Sequence, residues 1–68
     1  MSIKVDTSIY INEYGFAPRG SALWAFNIGV GHSWTTFIVP GIHKFSDAKK
    51  IALREAKSLG ADQVVVAP

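Results

Sequence analysis

Between Gly20 and Pro40 the chain carries no lysine, arginine, aspartate or glutamate, and its apolar residues recur at every second position. Trp24, Phe26, Ile28 and Val30 fall on one side of this run, and Leu23, Ala25, Asn27 and Gly29 on the other. A period of two predicts a β-strand over residues 21–30 with one buried face. The second face is small and uncharged, so something other than water is expected to cover it. Gly31-His32 predicts a hairpin turn, the glycine supplying a positive φ where the turn needs one. Trp34 to Val39 is rich in β-branched and aromatic residues and predicts the partner strand, ended by Pro40-Gly41. Upstream, Ile3, Val5, Ile9 and Ile11 alternate weakly and predict a first strand over residues 3–11. A connection containing Gly15, Pro18 and Gly20 follows it.

The period changes after Phe45. At ~100° per residue, Ala48, Ile51, Ala52, Ala56 and Leu59 gather on one side of a helix, and Lys50, Arg54 and Lys57 on the other. Ser46 is the expected N-cap and Asp47 suits the positive end of the helix dipole. Lys49 stands where a capping box needs Glu or Gln, so the cap is a simple one. Glu55 falls inside the apolar arc and must find a partner or reach the rim. Gly60 is expected to end the helix in a left-handed conformation, and residues 63–66 to form a short last strand. The predicted order is β-β-β-α-β: one small α+β domain over residues 1–68, an antiparallel sheet with one helix across one face. Its other face is left open, which makes Leu23, Ala25, Asn27, Trp34 and Tyr14 the candidate interface.

Size sharpens that expectation. A core built from 68 residues supplies only ~3–5 kcal/mol, and chains of this length lean on a staple or a partner. With no cysteine there is neither a disulfide framework nor a thiolate metal site. Residues that are 49% hydrophobic bury more completely in an oligomer than in a small monomer, so self-association is expected. The stretch from Met1 to Asp6 lacks the basic and apolar segments of a leader. No apolar run approaches the ~18 residues of a membrane span. The expectation is a soluble cytoplasmic protein without cofactor, partnered by itself and by another protein.

Charge adds an alternative. The net charge is +2, but residues 44–57 hold Lys44, Lys49, Lys50, Arg54 and Lys57 against Asp47 and Glu55, a local +3. Basic residues on one helix face can neutralise phosphates, so Lys50, Arg54, Lys57 and Lys49, with Arg19, are the candidate contacts for a nucleic acid or nucleotide. Strands two and three carry no Arg or Lys to reach base edges, which argues against sequence-specific DNA reading. Exposed aromatics beside Arg19 would supply a stacking surface.

Catalytic chemistry is not expected. His32 and Ser33 are neighbours, and neighbouring strand residues point to opposite faces, which is unsuited to a nucleophile–base pair. The five carboxylates are scattered. His43 and Asp47 have helical ligand spacing, yet His43 precedes the helix, and two histidines fall short of the about four ligands of a structural zinc site. Gly29-Val30-Gly31 leads into a strand, whereas a phosphate loop leads into a helix N-terminus. The predicted strands followed by Phe45-Ser46-Asp47-Ala48-Lys49-Lys50, with Ala52 and Ala56, resemble over residues 20–59 the arm-binding domains of phage-type integrases, a likeness that implies a sheet placed in DNA. The uncharged sheet departs from that pattern, and no family is assigned. The function expected is that of a non-catalytic interaction module, a homo-oligomer of the accessory or inhibitor kind. The alternative is nucleic-acid binding through the basic helix face.

Overall fold

The computed structural model describes residues 3–68; Met1 and Ser2, the start of the stretch read for a leader, lie outside the described residues. The chain forms β1 (Val5–Asp6), α1 (Ser8–Tyr14), β2 (Ser21–Ala22), β3 (Ala25–Val30), β4 (Ser33–Ile38), β5 (His43–Lys44), α2 (Phe45–Leu59) and β6 (Gln63–Val66). Four strands make a mixed sheet in the order β1-β6-β3-β4, and β2 and β5 make a separate antiparallel pair. The α+β class holds. The order is richer than β-β-β-α-β, and the sheet is not wholly antiparallel, because β1 runs parallel to β6.

The expected first strand stops early. Asp6 Oδ1 accepts from the Ser8 backbone N–H at 2.8 Å and from Ser8 Oγ at 2.7 Å. This side-chain turn competes with ladder pairing and turns the chain into α1. Ile9 and Ile11 therefore lie on a helix, where their spacing of two no longer puts them on one face. The expected strand over residues 21–30 breaks at Leu23-Trp24. Its first part pairs with β5 and its second with β4 and β6. At the break, the Trp24 carbonyl accepts from Val39 N–H at 2.9 Å, and Trp24 Nε1 donates to the His43 carbonyl at 2.9 Å. One tryptophan thus ties the small pair to the main sheet.

The hairpin between β3 and β4 turns at Gly31-His32 with Gly31 at φ 60° and His32 on the ordinary negative side. Positive φ at the first loop position alone is what a two-residue type II′ turn requires. α2 starts at Phe45, one residue before the expected Ser46 cap, and has no side-chain cap. The reason is the pairing ahead of it: Phe45 N–H donates to the Gly20 carbonyl at 3.1 Å, so a loop carbonyl satisfies a donor that a hydroxyl would otherwise take. Gly60 ends α2 at φ 70° as expected.

The core lies between α2 and one face of the sheet. Phe26 and Ile28 of β3 and Val64 and Val66 of β6 are buried against Ala48, Ala52 and Ala56 of α2. Three alanines let the helix backbone approach the sheet, and Phe45 fills its start, 5.0 Å from the Trp24 ring and 6.2 Å from the Phe26 ring. Two expected core residues stand outside: Val30 reaches the hairpin end and Leu59 the helix end, both exposed. Glu55 comes to the rim, half-buried beside Phe37, Ile51, Arg54 and Ser58.

Candidate interaction surface

Cross-strand pairing defines the side of the sheet away from α2. Ala25 faces Ile38, Asn27 faces Thr36 and Val65, and Gly29 faces Trp34 and Gln63. Residues directly opposite in antiparallel strands share a face, so these residues make up the open side. Asn27 is engaged there, its Oδ1 accepting from Thr36 Oγ1 at 3.0 Å.

The expected cover is supplied in two pieces from within the chain. The first is α1, which contacts β6 and places Ile9 beside Val65; Val65 is only 9% exposed although it lies on the open side. The second is the Trp34 ring, which lies across Gly29. A Cβ on Gly29 would meet Trp34 Cη2 and Cζ3 at 3.0 Å, so the absence of a side chain is what seats the indole. Between the two pieces lies a shallow apolar depression of about 320 Å³, lined by Ile9, Asn27, Trp34 and Val65. The cover is incomplete. Trp34 remains 54% exposed and Ile38 64%.

The candidate interface residues therefore separate. Ala25, Asn27 and Trp34 share the open face as expected. Leu23 lies in the crossover between β2 and β3 and is 66% exposed. Tyr14 is not on the strand surface. It sits at the end of α1 in an aromatic cluster, its ring 4.6 Å from Tyr10 and 6.3 Å from Phe16. Tyr10 continues that cluster inward to Trp24 at 5.8 Å. The sequence reading missed Ile38 and Ile9. Ile38 was legible in the alternation Trp34, Thr36, Ile38, whereas Ile9 reaches the open face only because residues 8–14 are helical.

The basic residues also divide into two groups. Lys49, Lys50, Arg54 and Lys57 are exposed on α2. Arg19 is elsewhere, its guanidinium carbon 5.0 Å from the Phe16 ring centre, a cation–π contact at the aromatic cluster. Arg19 and Lys44 flank the shallow hollow at the start of α2, with Ser21 and Ser46.

Of the groups weighed for chemistry, His32 and Ser33 stand exposed at the hairpin, Ser33 opposite Val30. His43 Nε2 donates to the Pro40 carbonyl at 2.8 Å, an engagement that helps shape the Pro40-Gly41 bend. Among the described residues no three His, Asp or Glu side chains converge on a metal-sized site. Nor is any helix among them long and apolar enough to cross a membrane. The Asp6 carboxyl is held below its usual range, first by the Ser8 hydroxyl bond and then by the Ser8 backbone N–H.

The chain matches no protein-family model, no curated protein and no solved structure.

Proposed function

We propose that this chain is a non-catalytic interaction module that works as a homo-oligomer, an accessory or inhibitor protein that covers a surface on another macromolecule. The observation that carries this reading is the uncharged open side of the sheet, where Trp34 and Ile38 stand more than half exposed around Ala25 and Asn27. Apolar side chains that remain in water after the chain has used its own α1 as cover are suited to contact with a further surface. Ala25→Arg tests it, because a guanidinium on this face opposes apolar contact while the position is only half-buried and faces away from the core. Light scattering at several concentrations should show the unaltered chain as an oligomer and the variant at lower mass with an unchanged circular dichroism spectrum. Equal mass and equal partner binding in the two would remove the open face as the interface.

A second reading is favoured by one observation: Lys50, Arg54 and Lys57 are all exposed along α2 on the side turned from the alanine stripe, with Lys49 exposed near the helix start. In this reading the helix face binds nucleic acid by phosphate neutralisation, and affinity falls steeply with salt. Changing Lys50, Arg54 and Lys57 together to Glu should abolish such binding with the fold retained. Binding that survives in the triple variant would exclude the helix face.

A further inference from the structure

The free edge of the sheet has an internal symmetry that bears on what occupies it. Backbone N–H and C=O groups of one residue in an antiparallel strand point to the same side, and alternate residues point to opposite sides. In β3, the Gly29 carbonyl accepts from Asp62 N–H and the Ala25 carbonyl from Ala67 N–H, so its odd-numbered residues turn toward β6. Its even-numbered residues, Phe26, Ile28 and Val30, thus turn toward β4, where they pair with Phe37, Thr35 and Ser33. The remaining residues of β4, Trp34, Thr36 and Ile38, direct their N–H and C=O groups off the edge of the sheet. β4 is the last strand on that side.

We propose that this edge pairs with the β4 edge of a second copy of the chain, antiparallel about a two-fold axis at Thr36, joining two four-stranded sheets into one of eight. The inference rests on the self-association reading above and names its surface. In this register Thr36 faces its own copy, and Trp34 and Ile38 each face the other's counterpart. All three outward-facing residues find partners, giving six inter-chain backbone hydrogen bonds. Shifting the axis by one residue loses at least one of these pairs, either to the Gly31-His32 turn or to Pro40, which has no N–H.

Three features fit the edge to a copy of itself. The facing side chains are a Thr–Thr pair and two aromatic–β-branched pairs, combinations that favour cross-strand contact. No lysine, arginine or carboxylate lies between Gly20 and His43, so none near the axis meets its own copy, and β4 lacks the lysine, proline or bulge that usually blocks such pairing. On the α2 side, Arg54 and Glu55 both line the wall beside Phe37. A two-fold at Thr36 brings this wall toward its copy, and because the wall carries both signs it sets up no single-sign repulsion against self-pairing. An extended peptide of another protein could use the same backbone groups, but it would have no reason to match this symmetric order of side chains.

The test is molecular mass by sedimentation equilibrium on the full chain with two substitutions. Thr36→Pro removes an outward N–H, which an edge strand tolerates, together with the exposed Thr36–Asn27 side-chain bond. It should convert a dimer to a monomer, raising the dissociation constant by roughly 100-fold or more, with the circular dichroism spectrum kept. If that variant fails to fold, Thr36→Lys, which leaves every backbone bond in place, takes its role. Thr36→Cys in this cysteine-free chain should cross-link to a dimer on mild oxidation, because paired residues at the axis lie about 5.5 Å apart between Cα atoms, within disulfide reach. Trp34→Cys should not cross-link, since its copies lie several residues apart along the strands. A folded Thr36→Pro or Thr36→Lys variant that keeps the dimer mass overturns the β4 pairing and leaves self-association standing with its surface elsewhere. An unaltered chain that is monomeric at every concentration overturns both.

Discussion

The two faces of β3 are built from adjacent residues of one six-residue strand, yet they are completed by different means. On the α2 side Phe26 and Ile28 are fully buried, and the chain itself supplies all of their contacts: helix alanines, β6 valines and the Phe45 ring. On the open side Gly29 lies under one indole and Asn27 shares a depression with Ile9 of α1, and the surface then runs out into exposed Trp34 and Ile38. In a chain of 68 residues one helix of 15 residues can seal one face of a sheet, but a second helix of 7 cannot seal the other. The first face holds the buried core, and the second is the one the proposed interaction would use.

Substitutions on the two sides should accordingly differ in kind as well as in size. Phe26→Ala removes a fully buried ring and should cost about 3–5 kcal/mol, close to the whole stability of so small a core, so thermal unfolding should begin near room temperature or the chain should fail to fold. An unchanged melting curve would mean that the α2 side does not hold the fold together. Gly29→Ala, a strand position of the opposite parity, should change stability by about 1 kcal/mol, because the Trp34 ring can swing into water and alanine favours an ordered backbone over glycine, while Gln63 Cβ at 3.3 Å must give by a few tenths of an ångström. Its effect should appear instead in fluorescence quenching, where the displaced Trp34 becomes more accessible than in the unaltered chain. If quenching is the same, the ring does not rest on Gly29.

The smallest effect is expected at the start of α1, the element that gives the open face its partial cover. Asp6 has its carboxyl lowered by the two Ser8 bonds, so its contribution to stability is present above the ordinary carboxylate range of about 4 and is lost as pH falls through the lower folded value. Asp6→Ala should lower stability slightly at neutral pH, leave it unchanged in strong acid and so flatten that acidic limb, the effect being small as fits an exposed group. Melting curves of the two proteins from neutral pH down to pH 2 give the comparison, and parallel acid limbs would assign the pH dependence to another carboxylate.

The sequence alone determined those features whose causes are local. The alternation of Trp24, Phe26 and Ile28 requires a buried strand face in any arrangement, because side chains on a strand alternate by geometry. The alanine stripe of α2, its Gly60 ending and the Gly31 turn follow in the same way from helix period and positive φ. For Glu55 the helix period left two outcomes, a partner or the rim, and the tertiary structure placed it at the rim. What the tertiary structure decided depends on partners distant in the chain. Residues 8–14 carry a strand-like alternation and became a helix because Asp6 and Ser8 close a turn and Tyr10 can then reach Trp24. Ser46 lost its capping role to the Gly20 carbonyl, and the strand over residues 21–30 split because its first two residues found β5 while the rest found β4 and β6. Local periodicity states which side chains must leave water together. Which backbone groups they leave paired, and therefore which edge and which face remain open, is settled only when segments far apart in sequence compete for the same hydrogen bonds.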